Sequence, residues 1–150
     1  MRVLLQRVSS GRVTVDGEVV GSVGRGYVAL VGITHSDTLQ EVAFMARKVV
    51  NLRVFDDEQG KMNKALADVD GGVLVVSQFT LYANTTGGRR PDFIRSAPRP
   101  HAEPLVEAFV EELRRLGVAQ VATGRFGAMM HVDIHNDGPV TIWLDSAELM

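Results

Sequence analysis

The first third of the chain places apolar runs between turn residues, a pattern that predicts β-structure. Strands over 13–15 and 18–20 flank Asp16-Gly17, which is a strong hairpin signal because both turn positions require a positive φ. Further glycines precede a continuous apolar run over 27–33. The length of this run predicts a strand that is buried on both faces.

Two later segments carry helical periodicity instead. Thr38, with Glu41 three residues later, fits a capping box ahead of an apolar stripe. A second helix is predicted from about Ala102 to Leu116, with Gly117 in the position that ends it. Pro104 is expected in the first turn of this helix, where a proline is tolerated.

A third β-rich run lies between the two helices. It covers residues 73–82, is long for one strand, and becomes polar halfway along. Period-2 alternation places Ser77 and Phe79 on one side of such a strand. Gln78 and Thr80 then point to the other side.

The final stretch, 129–145, predicts two strands that are broken at the turn residues Asn136-Asp137-Gly138-Pro139. In all, about seven strands and two long helices indicate a mixed α/β fold with the helices covering a sheet. No repeat or linker interrupts the pattern, so a single domain over residues 1–150 is expected.

Composition narrows the class of protein. The hydrophobic fraction of 45% and charged fraction of 23% are ordinary for a globular domain, and no apolar run approaches the ~20 residues of a membrane span. The chain has no cysteine, and its first apolar run, residues 3–5 between Arg2 and Gln6-Arg7, is too short for the hydrophobic region of a signal peptide. The cytosol is therefore the expected compartment, with no membrane partner.

The formal net charge of −2 argues against a general binder of polyanions such as DNA. A local basic cluster can still coexist with an acidic remainder. Arg89, Arg90, Arg95 and Arg99 form such a cluster, which is either a solvated loop or a contact surface for nucleic acid.

Local chemistry leaves the 77–80 segment open to two interpretations. It is either a strand that leaves the core and meets solvent, or a polar strand end whose hydroxyls, amide and backbone N–H groups line a cleft for a reacting carbonyl. A serine nucleophile of the usual kind has no support, because there is no G-x-S-x-G elbow and no histidine within ten residues of Ser77 or Thr80.

Two further segments carry alternatives. Asn136–Pro139 is an ordinary turn or, because X-Pro bonds escape most of the cis penalty, a rigid cluster of carbonyl acceptors around a cis peptide. On a strand, His131, Asp133 and His135 would project from one face, as metal ligands or as the wet face of a hairpin. The metal interpretation is the weaker one, and no metal or cofactor is expected.

Residues 74–81 and 136–141 resemble the two signature motifs of the D-aminoacyl-tRNA deacylases. Other segments resemble further landmarks of that family in the same order, at 6–8, 60–63, 90–93 and 123–130. The likeness therefore extends over nearly the whole chain. It implies the fold of that family, which is a mixed sheet or partial barrel in three layers.

The resemblance also implies an activity. The family consists of homodimers that hydrolyse the ester between a D-amino acid and the 3′ end of tRNA, and glycine mischarged on tRNA is a further substrate. Gly138 and Pro139 match the family's cis Gly-Pro pair, which enters the partner's pocket, so that the active sites lie at the subunit interface. Its carbonyls bind the α-amino group and leave no room for an L side chain.

Several roles carry over to this sequence by the same resemblance. Thr80 matches the residue whose hydroxyl was once proposed as the nucleophile. In an alternative mechanism the backbone N–H groups of Phe79 and Thr80 form an oxyanion hole, and the 2′-hydroxyl of the terminal ribose assists water. We prefer the alternative, because a threonine hydroxyl without a base is a poor nucleophile. Gln78 and Ser77 would shape the pocket.

The remaining site residues follow from the same motifs. Asn136 and Met130 are expected beside the substrate, and Arg7 is expected to brace the Gly-Pro pair. Arg89, Arg90 and Arg95 are candidates for tRNA contacts, although the 83–89 segment differs from the lysine-containing loop common in the family. A non-catalytic RNA-binding domain is the alternative function.

Overall fold

The two longest strands of the computed structural model, which describes residues 1–150, pair antiparallel along almost their whole length. The strands are β1 (Arg2–Val15), β2 (Glu18–Val23), β3 (Gly26–Gly32), β4 (Phe55–Asp56), β5 (Met62–Lys64), β6 (Gly72–Ser77), β7 (Val121–Thr123) and β8 (His131–Asp145). The helices are α1 (Leu39–Asn51), α2 (Arg99–Arg115) and the short α3 (Ser146–Leu149), with 3-10 turns at Leu66–Val69 and Phe79–Tyr82. None of the helices combines the length and apolar character that a membrane span requires.

One mixed sheet of six strands forms the centre of the molecule. Its order is β2-β1-β3-β6-β7, with β8 on the other edge of β1, while β4 and β5 form a separate hairpin. β2 folds back over β7 at Gly21, where an added Cβ would lie 2.2 Å from the Thr123 carbonyl oxygen. Glycine therefore permits the close approach that nearly closes the sheet into a barrel.

The two faces of this sheet bury two separate apolar clusters. Along β3, Tyr27, Ala29 and Val31 point toward α1 and α2, whereas Val28 and Leu30 point into the barrel interior. The prediction of a strand buried on both faces is thus confirmed, because every residue of β3 is buried. The mixed α/β fold with a partial barrel and covering helices is also confirmed.

Local signals were accurate where they rested on turn or capping chemistry. Asp16 and Gly17 have φ values of 50° and 80° between the paired strands β1 and β2. The Thr38–Glu41 capping box is present at the start of α1. Gly117, with a φ of 96°, follows the end of α2.

The expected position of Pro104 was wrong. α2 begins at Arg99 rather than near Ala102, so Pro104 lies in its second turn. The Pro98 carbonyl accepts the N–H groups of His101 and Ala102 and starts the helix early. Pro104 is on the exposed side, where water can satisfy the carbonyl that its missing N–H leaves free.

Candidate active site

The sequence pattern predicted a continuous strand through residues 77–80. The structure shows that this prediction is wrong. β6 ends at Ser77. The Gln78 N–H donates to the Val31 carbonyl at 2.7 Å, and the 3-10 helix begins at the next residue. Gly32 allows this turn to pack across β3, since an added Cβ there would lie 3.1 Å from the Leu81 Cβ. The expected alternation of side chains therefore stops at Ser77.

The turn brings two polar side chains together. The Gln78 amide Nε2 donates to the Thr80 hydroxyl at 3.0 Å, and this is the only hydrogen bond that the hydroxyl makes. An amide N–H does not remove a proton from a hydroxyl. Thr80 therefore has no base to activate it within the subunit.

Two backbone donors are free at the same turn. The N–H groups of Phe79 and Thr80 open the 3-10 helix and have no acceptor in the chain. The Phe79 carbonyl accepts the Ser96 hydroxyl at 2.8 Å, and the Phe79 ring packs edge-on against Phe93 at 5.0 Å. These contacts fix the turn and leave its two donors without a protein acceptor.

No histidine completes this site. His35 contacts the Ile94 carbonyl at 2.7 Å, and His101 contacts the Asp37 carbonyl at 2.9 Å. Both rings connect neighbouring segments and neither contacts Thr80 or Ser77. The arrangement can therefore polarise a carbonyl through backbone N–H groups, and it offers no nucleophile–base pair.

Ser77 lines a cleft of about 250 Å³ at the ends of β6 and β7. The cleft also has Val106 and Glu107 of α2 on one side and the residues 123–126 on the other. In sheets with parallel strands, ligands commonly bind beyond the carboxyl ends of the strands. β6 and β7 are parallel, and Ser77 stands at this end.

Met130, predicted to contact the substrate, is half-buried and lies behind this cleft. An added Cβ on Gly124 would lie 2.6 Å from the Met130 sulfur, so the thioether fills the space that the glycine leaves. The side chain packs against the interior cluster of the barrel. Its neighbour Met129 is 84% exposed.

The Gly138-Pro139 pair does not lie in a turn between two strands, which corrects the sequence prediction. It lies in a bulge inside the single strand β8, because Val8 pairs with Asn136 while Gln6 pairs with Thr141. The extra residues leave the sheet and expose Gly138 and Pro139. The chain stays one strand because β1 continues to supply hydrogen bonds on both sides of the bulge.

Side chains close this bulge. The Asn136 Oδ1 accepts the Val140 N–H at 2.8 Å, across the base of the loop. Gly138 has a φ of 145°, and the Gly138-Pro139 peptide is cis. An added Cβ on Gly138 would lie 2.7 Å from the Val140 nitrogen, so only glycine fits here without strain.

Arg7, on the neighbouring strand β1, contacts the bulge. It is 6% exposed, and its Nε donates to the Asp137 carbonyl at 3.0 Å. Its Nη1 donates to the Val54 carbonyl at 2.8 Å and to the Asp56 carboxylate at 3.1 Å. Burial raises the pKa of Tyr27, the residue paired with Arg7 across β1 and β3, and the charge of Arg7 offsets part of that effect.

One subunit does not bring the two candidate segments together. Arg2 donates to the Leu81 carbonyl within the 3-10 turn, whereas Arg7 donates to the Asp137 carbonyl of the bulge. These arginines are five residues apart on β1, or roughly 16 Å at ~3.3 Å per residue. They also project to opposite faces of the sheet.

The arginine cluster separates into free and paired members. Arg89 and Arg90 are exposed and have no ion-pair partner, and Arg95 stacks 5.6 Å from the Tyr82 ring. Arg99 is paired with Glu103 one turn along α2. Arg89 and Arg90 are therefore the cations available to a polyanion.

The histidine strand carries an ion pair instead of a metal cluster. Arg12 donates to Asp133 at 2.8 Å, and this contact lowers the pKa of the carboxyl. No group of three potential ligands in the chain is arranged to hold a metal ion. His131 and His135 lie on the exposed face of β8, as the wet-face interpretation predicted.

Sequence reasoning missed the residues that support the site. Gly32, Ser96 and Asp56 each fix part of it, yet none lies in a chemical motif. Phe93, the ring against Phe79, was noted only as part of the 90–93 resemblance. Contacts between distant segments leave no periodic or compositional signal in a single sequence.

Comparison with known proteins identifies the group to which this architecture belongs. Residues 4–145 match the family described as D-Tyr-tRNA(Tyr) deacylase. A D-aminoacyl-tRNA deacylase of Thermomicrobium roseum is 60% identical over 149 residues, which cover 99% of this chain and 96% of the relative. One from Thermus aquaticus is 55% identical and covers 99% of this chain and 97% of its own.

Solved structures match as well. The c-Myc DNA Unwinding Element Binding Protein superimposes with a TM-score of 0.92 at 44% identity, covering 97% of this chain and 99% of its own. A probable eukaryotic D-amino acid tRNA deacylase gives a TM-score of 0.81 at 18% identity, covering 95% of this chain and 97% of its own. At that identity the second match supports the fold alone.

Proposed function

The chain belongs to the D-Tyr-tRNA(Tyr) deacylase family, whose members are hydrolases of ester bonds, and on this premise we propose how it selects D-aminoacyl-tRNA. The 77–80 segment of one subunit binds the ester, and Gly138-Pro139 of the partner subunit closes the pocket. D-aminoacyl and glycyl esters are hydrolysed and L-aminoacyl esters are rejected.

The free N–H groups of Phe79 and Thr80 support a backbone mechanism. Attack on an ester carbonyl creates an oxyanion, and preorganised N–H donors stabilise it more than they stabilise the ground state. The Thr80 hydroxyl binds the Gln78 amide and no base, which disfavours it as nucleophile. Water is therefore the attacking group.

No side chain beside the turn serves as the base, so the substrate itself supplies the assisting group. The 2′-hydroxyl of the terminal ribose lies next to the 3′-ester in any aminoacyl-tRNA. An aminoacyl ester is already labile, and correct placement of a water molecule against it contributes a large part of the acceleration. Ser77 and Gln78 shape the pocket in which this placement occurs.

The Gly138-Pro139 segment supports rejection by main chain rather than by side chain. It is exposed, while Asn136 and Arg7 fix its base through the contacts at 2.8 and 3.0 Å. Backbone carbonyls at such a point bind an α-amino group and leave no volume for a side chain on the L side. The side chain of a D-amino acid points away from these carbonyls, so the pocket does not discriminate between different D side chains.

The separation of the two segments supports a shared site in a homodimer. In a two-fold dimer, if the 77–80 segment of one subunit contacts Gly138-Pro139 of its partner, the partner's 77–80 segment makes the same contact with the first subunit. We place the two-fold axis of this dimer on the β1–β8 surface, between the two copies of that contact. That surface carries Trp143, which is 43% exposed, opposite Leu4.

The free arginines and the cleft beside Ser77 are the two features to which we assign contacts with the tRNA. Arg89 and Arg90 offer unpaired charge to phosphates, and Arg95 is a further exposed cation, over the Tyr82 ring. The cleft beside Ser77 is open to a group of nucleoside size at the acceptor end. We place this activity in the cytoplasm, where aminoacyl-tRNA is used.

The test of the proposed function compares two substrates that differ only in chirality. Purified protein is expected to deacylate D-Tyr-tRNA and to leave L-Tyr-tRNA intact under the same conditions. Sedimentation should give twice the 16.3 kDa chain mass. Equal hydrolysis of both enantiomers, or an active monomer, would contradict the proposal.

A further inference from the structure

The β4–β5 hairpin (residues 55–64) lies outside the 3-10 turn at 79–82, here called the catalytic turn for its proposed role, yet it contacts the residue that supports the Gly-Pro bulge. It does not join the main sheet. Its hydrogen bonds to the main sheet all come from Arg7, which donates to Asp56 at its base and to the preceding Val54 carbonyl. Arg7 thus connects the hairpin and the bulge directly.

Internal contacts make this hairpin a rigid unit. The Asp57 carboxylate accepts the N–H groups of Gln59 at 2.8 Å and Lys61 at 3.0 Å, and these donors lower its pKa. Gly60 has a φ of 76° at the tip. Arg53 donates to the Asn63 carbonyl at 2.8 Å and so closes the open end.

The hairpin is also seated in the core. Phe55 is 1% exposed and packs against Tyr27, with 5.1 Å between ring centroids. Tyr27 is the cross-strand neighbour of Arg7. The position of Asp56, one residue after Phe55, is therefore fixed relative to the Arg7 guanidinium.

We propose that the hairpin positions the Gly138-Pro139 segment and that Asp56 is a positioning residue acting through Arg7. The inference rests on the proposed function of that segment. Arg7 has a long flexible stem and meets the bulge through Nε alone, which donates to the Asp137 carbonyl at 3.0 Å and lies 3.5 Å from the Asp137 carboxylate. Contacts at this one nitrogen would leave the rest of the guanidinium free to rotate. The Asp56 carboxylate and the Val54 carbonyl fix the other edge of the planar group, so that Nε stays aimed at Asp137.

Asp56 is 47% exposed, so its ion pair with Arg7 contributes little to folding stability. Its contribution is geometric. A displacement of the bulge by about 1 Å is enough to reduce a rate by on the order of 100-fold when the reacting groups depend on that placement. Selectivity for D over L esters should therefore respond to Asp56 more than the melting temperature does.

The test measures kcat/KM on D-Tyr-tRNA and L-Tyr-tRNA for Asp56→Ala, Asp56→Asn and Asp56→Glu. Asp56→Ala is expected to lower the D-to-L ratio by at least about tenfold, and Asp56→Asn by less, because an amide oxygen still accepts from Arg7. Asp56→Glu should restore most of the ratio. Glu58→Gln, in the same hairpin but paired with Lys64, should leave it unchanged.

Gly138→Ala is measured alongside the Asp56 variants. It distinguishes the proposed function of the Gly-Pro bulge from the positioning role of Asp56. If Gly138→Ala lowers the ratio and both Asp56→Ala and Asp56→Asn keep it at the wild-type value, the role of Asp56 is overturned and the proposed function stands. If neither Gly138→Ala nor Asp56→Ala changes it, both are overturned. A fall in melting temperature with an unchanged ratio would also overturn the positioning role.

Discussion

Arg2 and Arg7 occupy the same strand, project to opposite faces, and each donates to one backbone carbonyl of a different candidate segment. Arg2 binds the Leu81 carbonyl at 2.8 Å, and Arg7 binds the Asp137 carbonyl at 3.0 Å. One strand thus supports the 3-10 turn at 79–82 and the Gly-Pro bulge but holds them apart. Within one subunit the two candidate segments therefore lie apart, which is the observation on which the proposed shared site rests.

The first prediction isolates the backbone donor at Phe79. Phe79 is the first residue of a 3-10 helix, a position that tolerates proline. Phe79→Pro removes the N–H and the ring, whereas Phe79→Ala removes only the ring. Phe79→Pro is expected to lower single-turnover rates by on the order of 10²–10³ relative to Phe79→Ala. Equal rates for the two variants, with matching circular dichroism, would exclude the Phe79 N–H as an oxyanion donor.

Turn chemistry and periodicity predicted the elements of the fold but not the shape of the site. The Asp16-Gly17 hairpin and the Thr38 cap depend on neighbours in sequence, and both were predicted correctly. The end of β6 depends on Gly32, which lies on another strand and admits the 3-10 turn. The strand alternation predicted for Phe79 therefore failed for a tertiary reason.

The same distinction explains the prediction for Asn136–Pro139. Its residue types are those of a turn, and local chemistry does not distinguish a turn between strands from a bulge within one. The outcome depends on β1, which is long enough to pair with β8 on both sides of the bulge. Only the partner strand carries that information.

Thr80 provides the second prediction. Its hydroxyl accepts a hydrogen bond from the Gln78 amide and contacts no base. Removal of the hydroxyl should therefore have little effect on the rate of the chemical step. Thr80→Val and Thr80→Ala are expected to retain single-turnover rates within about threefold, in contrast to the 10²–10⁴-fold loss that removal of a working acid–base group causes. A complete loss of activity in both folded variants would restore the hydroxyl as nucleophile.

Independence from metal ions is the third prediction. Asp133 is paired with Arg12, and no three ligands converge anywhere in the chain. Deacylation of D-Tyr-tRNA is expected to be unchanged in excess chelator, and His135→Ala is expected to match wild type. Loss of activity in chelator, with recovery on addition of zinc, would identify a metal-dependent hydrolase instead.

The fourth prediction concerns tRNA affinity. Arg89 and Arg90 are exposed and unpaired, whereas Arg99 is paired with Glu103 and serves as the matched control. Each phosphate contact contributes ~0.7–0.9 to the slope of log affinity against log salt. Arg89→Ala/Arg90→Ala is expected to reduce that slope by about one to two, and Arg99→Ala by less. Binding that is salt-dependent without any turnover would favour a non-catalytic RNA-binding domain.

The fifth prediction tests whether the site is shared between subunits. Phe79→Pro alters the catalytic turn and leaves the bulge intact, whereas Gly138→Ala alters the bulge and leaves the turn intact. Refolding the two variants together in equal amounts produces heterodimers in half of the molecules, and each has one unaltered site. About a quarter of all sites then regain D-selective activity if the halves come from different subunits. The unmixed variants, refolded separately and then combined, are the control. Mixing that restores nothing, although heterodimers are present by mass spectrometry, would place both halves of the site in one chain.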